Sequence, residues 1–149
     1  MKKLFLFMAV AGLAFSLNSC SSSDSGSSSP GGTVTVKING VSKTFTTTVV
    51  DVEVYEDGTP DEYTELTVTA TIGTSTTEII TFVMEKGGLG SDAIYEFYYI
   101  KDGAFCPGNL ATNVTTNNTG KKLIGSFSGA VSDGTTDYTF TEGTFNVQY

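Results

Sequence analysis

The thiol of Cys20 is the side chain whose neighbours define a reaction. Leu17-Asn18-Ser19 precedes it, placing an aliphatic residue three positions upstream and a small one immediately before it. Further upstream stand Lys2 and Lys3, then a mostly apolar run of 14 residues, Leu4 to Leu17. A thiol can take up diacylglycerol as a thioether, a small residue before it fits a peptidase, and the amine released by the cut can be acylated. A membrane-spanning helix needs about 20 apolar residues. A positive start, a shorter apolar run and a small-residue junction therefore read as a removable export leader.

Leu17 to Cys20 resembles a lipobox, with Asn18 a departure from the small or aliphatic residue usual at that position. The expected division is a lipoprotein signal peptide at 1–19, a tether at 20–32 and a single domain at 33–149, with Cys20 as the lipidation site. One acyl chain binds a membrane marginally, at about 0.8 kcal/mol per buried methylene, so a stable anchor takes two or three. The tether is almost all serine and glycine and has nothing with which to build a core. As a flexible coil it would hold the domain roughly 20 Å from its anchor.

The remaining chemistry is mostly excluded by what the chain lacks. It has no His, Arg or Trp. A Ser-His-Asp or Cys-His triad is impossible without imidazole, and the commonest metal ligand is missing with it. Gly87-Gly88-Leu89-Gly90 opens no helix and reads as a turn, not a nucleotide loop. Carboxylate pairs could serve a hydrolase, but abundance alone selects none of them. The protein is expected to be no enzyme, to need no cofactor and to hold no metal.

After removal of the leader, six lysines face sixteen acids, a net charge of −10. That balance disfavours nucleic acid and anionic headgroups alike. Asp51, Glu53, Glu56, Asp57, Asp61, Glu62 and Glu65 crowd one stretch. Calcium wants six to eight oxygens in a dedicated loop, and no such spacing is present, so the acids read as a solvated face and turn. They also guard a strand against edge pairing. Cys106, left without a partner once Cys20 is lipidated, reads as a small buried hydrophobe and not as a nucleophile.

The elements that must position these groups are strands. From Thr33 onward Thr, Val, Ile, Phe and Tyr dominate, Gly-containing turns recur, and no helical period is sustained. Val34, Val36 and Ile38 share one face before the turn Asn39-Gly40. A second strand, about 42–55, changes phase at Val49-Val50, which predicts a bulge near 49. Leu66, Val68, Ala70 and Ile72 alternate with Glu65, Thr67, Thr69 and Thr71. Further strands are expected at about 77–85, 93–100 and 110–116. In the closing strands Leu123, Phe127 and Val131 share a face with Gly125 and Gly129, and the phase of Tyr138 and Phe140 shifts at Glu142-Gly143 to that of Phe145, Val147 and Tyr149. About eight strands with short links predict an all-β, antiparallel sandwich or barrel-like domain.

The lipobox with its Ser-rich tether, Ile38-Asn39-Gly40, Gly125-Ser126-Phe127-Ser128-Gly129 and Thr141-Glu142-Gly143-Thr144-Phe145 together resemble small Bacteroidota-type cell-envelope lipoproteins with β-rich domains of unknown function. The resemblance implies an outer-membrane lipoprotein, on the periplasmic face or at the cell surface, and carries no activity with it. Two functions fit. One is a lipid-anchored binding or adhesion module for a glycan or an envelope protein. The other is a structural or accessory subunit of an outer-membrane assembly.

One segment offers a site. Ile94 to Ile100 is apolar on both faces, with Tyr95, Phe97 and Tyr99 on one and Ile94, Tyr98 and Ile100 on the other. A sandwich strand buries one face. Either a loop around Phe105-Cys106-Pro107 covers the second, or Tyr95, Phe97 and Tyr99 form an exposed platform for stacking on a ligand.

Overall fold

The computed structural model describes residues 31–149. The leader, Cys20 and nearly all of the tether expected at 20–32 lie outside the described residues. Nine strands make up the domain: β1 (Gly31–Ile38), β2 (Val41–Tyr55), β3 (Tyr63–Thr71), β4 (Glu78–Glu85), β5 (Ile94–Lys101), β6 (Ala104–Pro107), β7 (Leu110–Asn118), β8 (Lys122–Ser132) and β9 (Asp137–Gln148). Pairing already includes Gly31 and Gly32, opposite Thr47 and Val147.

Every pairing is antiparallel, in the order β6-β5-β4-β3-β2-β1-β9-β8-β7. The ladder doubles over on β2, whose first part pairs with β1 up to Thr47 and whose second part pairs with β3 from Thr47 to Tyr55. β2 thus serves both layers of an antiparallel β-sandwich. One layer is β2-β1-β9-β8-β7 and the other β2-β3-β4-β5-β6.

The alternating apolar residues form the core as their spacing requires. Val34, Val36, Ile38, Leu66, Val68, Ala70, Leu123, Phe127 and Val131 are all buried, each of the side chains larger than alanine contributing roughly 1.5–3 kcal/mol. Rings bridge the layers: Phe82 lies 4.9 Å from Phe145, and Phe97 lies 5.3 Å from Phe127 and 5.8 Å from Phe140. Two glycines make room for this packing. Gly125 faces Phe145 across β8 and β9, and Gly143 faces Phe127. A Cβ on Gly125 would stand 2.3 Å from the Phe145 ring, and one on Gly143 2.7 Å from that of Phe127. Each glycine is the seat of the ring opposite.

Three details differ from the expected layout. The segment around Phe105-Cys106-Pro107 is not a lid but a ninth strand, β6, paired edge to edge with β5. No bulge occurs near Val49, since β2 and β3 pair without interruption from Thr47 to Tyr55. The irregularity falls on β1 instead, between Gly31 and Val34. Ile72 lies past the end of β3 and is exposed. The phase change at Glu142-Gly143 is real: an extra residue on β9 there shifts its pairing with both neighbours, and Glu142 takes a positive φ of 53°.

Candidate functional site

β5 does not carry its three aromatic residues on one face. Val83 pairs with Glu96 and Met84 with Ile94, so Tyr95 is an extra residue bulged out of the ladder. Beyond the bulge Phe97 and Tyr99 turn inward, at 6% and 1% exposure. Tyr95 turns outward, half exposed, and its hydroxyl donates to the Glu65 carboxylate. The platform expected from Tyr95, Phe97 and Tyr99 is therefore not formed. The opposite layer covers two of its rings, and the bulge sends the third to the other side.

Two pairs of outward-facing rings do come together among the described residues: Tyr55 and Tyr63 on β2 and β3, stacked 5.0 Å apart, and Tyr98 and Phe105 on β5 and β6, which alone border a groove. Tyr98 pairs with Pro107 and Ile100 with Phe105, so Tyr98, Ile100, Phe105 and Pro107 share the outer face of β5 and β6. The Tyr98 and Phe105 centroids are 5.0 Å apart and tilted by 43°. Phe105 is 56% exposed, an unusual state for a phenylalanine in a strand. With Tyr95, Glu96, Pro107 and Asn109 these rings line an open groove of about 550 Å³. A smaller hollow of about 300 Å³, reaching Asp92 and Thr112, shares its Tyr95–Phe97 wall.

The groove exists because β6 is only four residues long. It leaves β5 after Pro107, and Gly108 turns the chain away toward β7, donating its N–H to the Phe97 carbonyl at 3.3 Å. A side chain at position 108 would meet the Ala130 carbonyl at 2.5 Å, so glycine lets the chain pass close beneath β8. The lining has carboxylates and an amide but no lysine. Partial burial and the bond to Glu65 push the Tyr95 phenol above its ordinary value, so it remains a neutral donor. Flat rings beside hydrogen-bonding groups can stack on and orient a ligand.

A second polar constellation lies inside the sandwich. Glu78 is buried, paired with the Lys43 ammonium and accepting the Tyr99 hydroxyl. Burial alone would raise its carboxyl, but Lys43, Tyr99 and the nearby Lys101 overcome that and hold it below the ordinary value. Desolvation and Glu78 in turn raise the Tyr99 phenol. The signal for this pair was in the strand phase. Glu78 shares a face with Ile80, Phe82 and Met84, and Lys43 shares one with Phe45, so an acid and a base each stand on a core-facing phase.

Cys106 is fully buried against this region, its thiol directed at the Ala104 carbonyl 3.7 Å away. Burial raises the thiol, which keeps it protonated and unreactive. The buried Asn117 amide donates to the Glu85 and Gly88 carbonyls at 2.9 and 3.2 Å, fastening the β4–β5 link to β7. Among the described residues, no group of three or more acids and cysteines could hold a metal ion. The acidic stretch is split between β2, its turn and β3, and Glu62 accepts the Gly58 N–H within the turn.

No protein-family model matches the chain, and no curated protein or solved structure matches it either. The class it belongs to is defined by its own geometry: an antiparallel β-sandwich with an aromatic groove at one sheet edge.

Proposed function

We propose that the protein is a lipid-anchored binding module of the cell envelope that seats its ligand on Tyr98 and Phe105. The observation that carries this reading is the half-exposed Phe105 ring set 5.0 Å from Tyr98, while the large rings of the core are buried. Exposed ring surface is unfavourable in water, and covering it with a flat, partly apolar partner gains free energy. Glu96, Asp92 and Asn109 supply acceptors and a donor around them, and no cation lines the groove to hold an anion. An uncharged glycan has the required combination of apolar sugar faces and hydroxyl edges.

The test is retention of the mature lipoprotein in native gels cast with soluble neutral polysaccharides. Retention by at least one of them, lost in Phe105→Ala and in Tyr98→Ala while the melting temperature holds, supports the reading. Equal mobility in every gel removes the glycan from it. Attachment to the envelope is checked separately: labelled palmitate should enter the wild type and not Cys20→Ser.

A further inference from the structure

The opposite edge of the same layer carries a different kind of surface. β1 pairs with β2 only as far as Thr47, and β2 continues to Tyr55. Along Val49–Tyr55 the backbone groups turned away from β3 have no strand beside them among the described residues. Val50, Val52 and Val54 lie on the inner face, opposite Val68, Leu66 and Thr64. Leu66 and Val68 are fully buried, yet Val52 and Val54 are 52% and 48% exposed, because the covering layer stops short of them.

The outer face of this edge is acidic. Glu53 stands opposite Glu65, which stands opposite Glu85, and Asp51 is two residues along. None of these carboxylates forms an ion pair among the described residues. Like charges placed directly across strands cost stability; Glu53 and Glu65 accept the Tyr55 and Tyr95 hydroxyls, but no cation neutralises the row beside the open ladder among the described residues.

We propose that β2 is a docking edge that accepts an extended, alternating apolar–basic strand from a partner protein. Backbone bonding to the free edge would supply affinity, as in strand addition generally. Alternate side chains would then meet two different surfaces: apolar ones would complete the cover over Val50, Val52 and Val54, and basic ones would neutralise Asp51, Glu53 and Glu65. The charge argues against two other occupants. A second copy would bring the same carboxylates to the edge. The chain's own residues 21–30 contain no lysine, carry Asp24 and have only Pro30 as an apolar side chain. The acids that repel unwanted strands thus select a basic one.

The test uses the isotopically labelled mature chain and a capped seven-residue peptide in which lysine and valine alternate. Two controls accompany it: the same residues with the valines contiguous, and an alternating glutamate–valine peptide. The alternating basic peptide should shift the amides of Val49–Tyr55 and bind at least tenfold more tightly than either control. Val52→Lys, at a half-exposed position, should abolish that binding without lowering the melting temperature, and Phe105→Ala should leave it intact. Equal binding of the contiguous peptide would mean charge attraction alone and overturn the proposal. So would shifts confined to another face. Binding that appears only after deletion of residues 21–30 would assign the edge to the chain itself. A concentration-dependent dimer abolished by Val52→Lys would assign it to a second copy. Either result overturns the partner.

Discussion

The two edges of the β2-β3-β4-β5-β6 layer are finished in opposite ways. At one, β6 is four residues long, ends at Pro107, and leaves through a glycine that passes beneath β8. Shortness and proline close that edge to further strands. At the other, β2 runs on past its partner with its ladder open among the described residues and with carboxylates along its outer face. A steric seal is permanent, whereas a charged one depends on what approaches. The closed edge leaves room for a groove, and the open one leaves a ladder. The two proposals made above rest on this difference, rings for one ligand and backbone for another.

The sharpest way to break the comparison is to remove the core beneath the closed edge. Phe97→Ala should cost about 3–5 kcal/mol in urea unfolding, because the ring is inserted among Phe82, Phe127 and Phe140. A loss below about 1 kcal/mol would mean that the β5 end of the layer is not anchored as described.

Lys43→Met should cost less, about 2 kcal/mol at neutral pH, by leaving the Glu78 carboxylate buried without its cation. The folded protein holds that carboxyl below its ordinary value of 4.5. Its contribution is therefore complete above 4.5 and is lost as the pH falls through the folded value. In Lys43→Met this acid-linked loss should shrink, which unfolding curves between neutral and acid pH will read.

Phe105→Ala should change stability by no more than about 0.5 kcal/mol, since the ring is mostly in water. A large loss would make Phe105 a structural prop and leave the groove without its exposed ring. The smallest effect belongs to the open edge. Glu53→Gln should stabilise the fold by a few tenths of a kcal/mol at low salt by relieving its opposition to Glu65. The same change should bring the Tyr55 phenol, raised to about 12 chiefly by its bond to Glu53, back toward 10 in a spectrophotometric titration.

Alternation was readable wherever a strand is covered evenly on one face. Val34, Val36 and Ile38, the Leu66–Ala70 series and the shifted phase after Glu142 all lie as their spacing requires. The site was less readable, because it depends on how strands meet. The bulge that expels Tyr95 arises from the β4–β5 register, which the local pattern of Tyr95, Phe97 and Tyr99 does not encode. β6 is too short to show a period, and half of it is the Cys106-Pro107 pair that looks like loop. Val52 and Val54 alternate with Asp51 and Glu53 as an inner face requires, but nothing within β2 reports that the covering layer ends before reaching them.

The position of β1 has a mechanical consequence. Gly31 is where the described domain meets whatever precedes it, and β1 is flanked on both sides, by β2 and by β9. The hydrogen bonds of an antiparallel ladder lie perpendicular to the strands. A pull applied at Gly31 along β1 while a ligand holds the β5–β6 groove would therefore load two ladders in shear, with many bonds sharing the force at once. Tension applied instead across the β6 edge would peel its few bonds in succession. With the N-terminal anchor proposed above, tension from that side would meet β1 in the shear geometry and not in the peeling one.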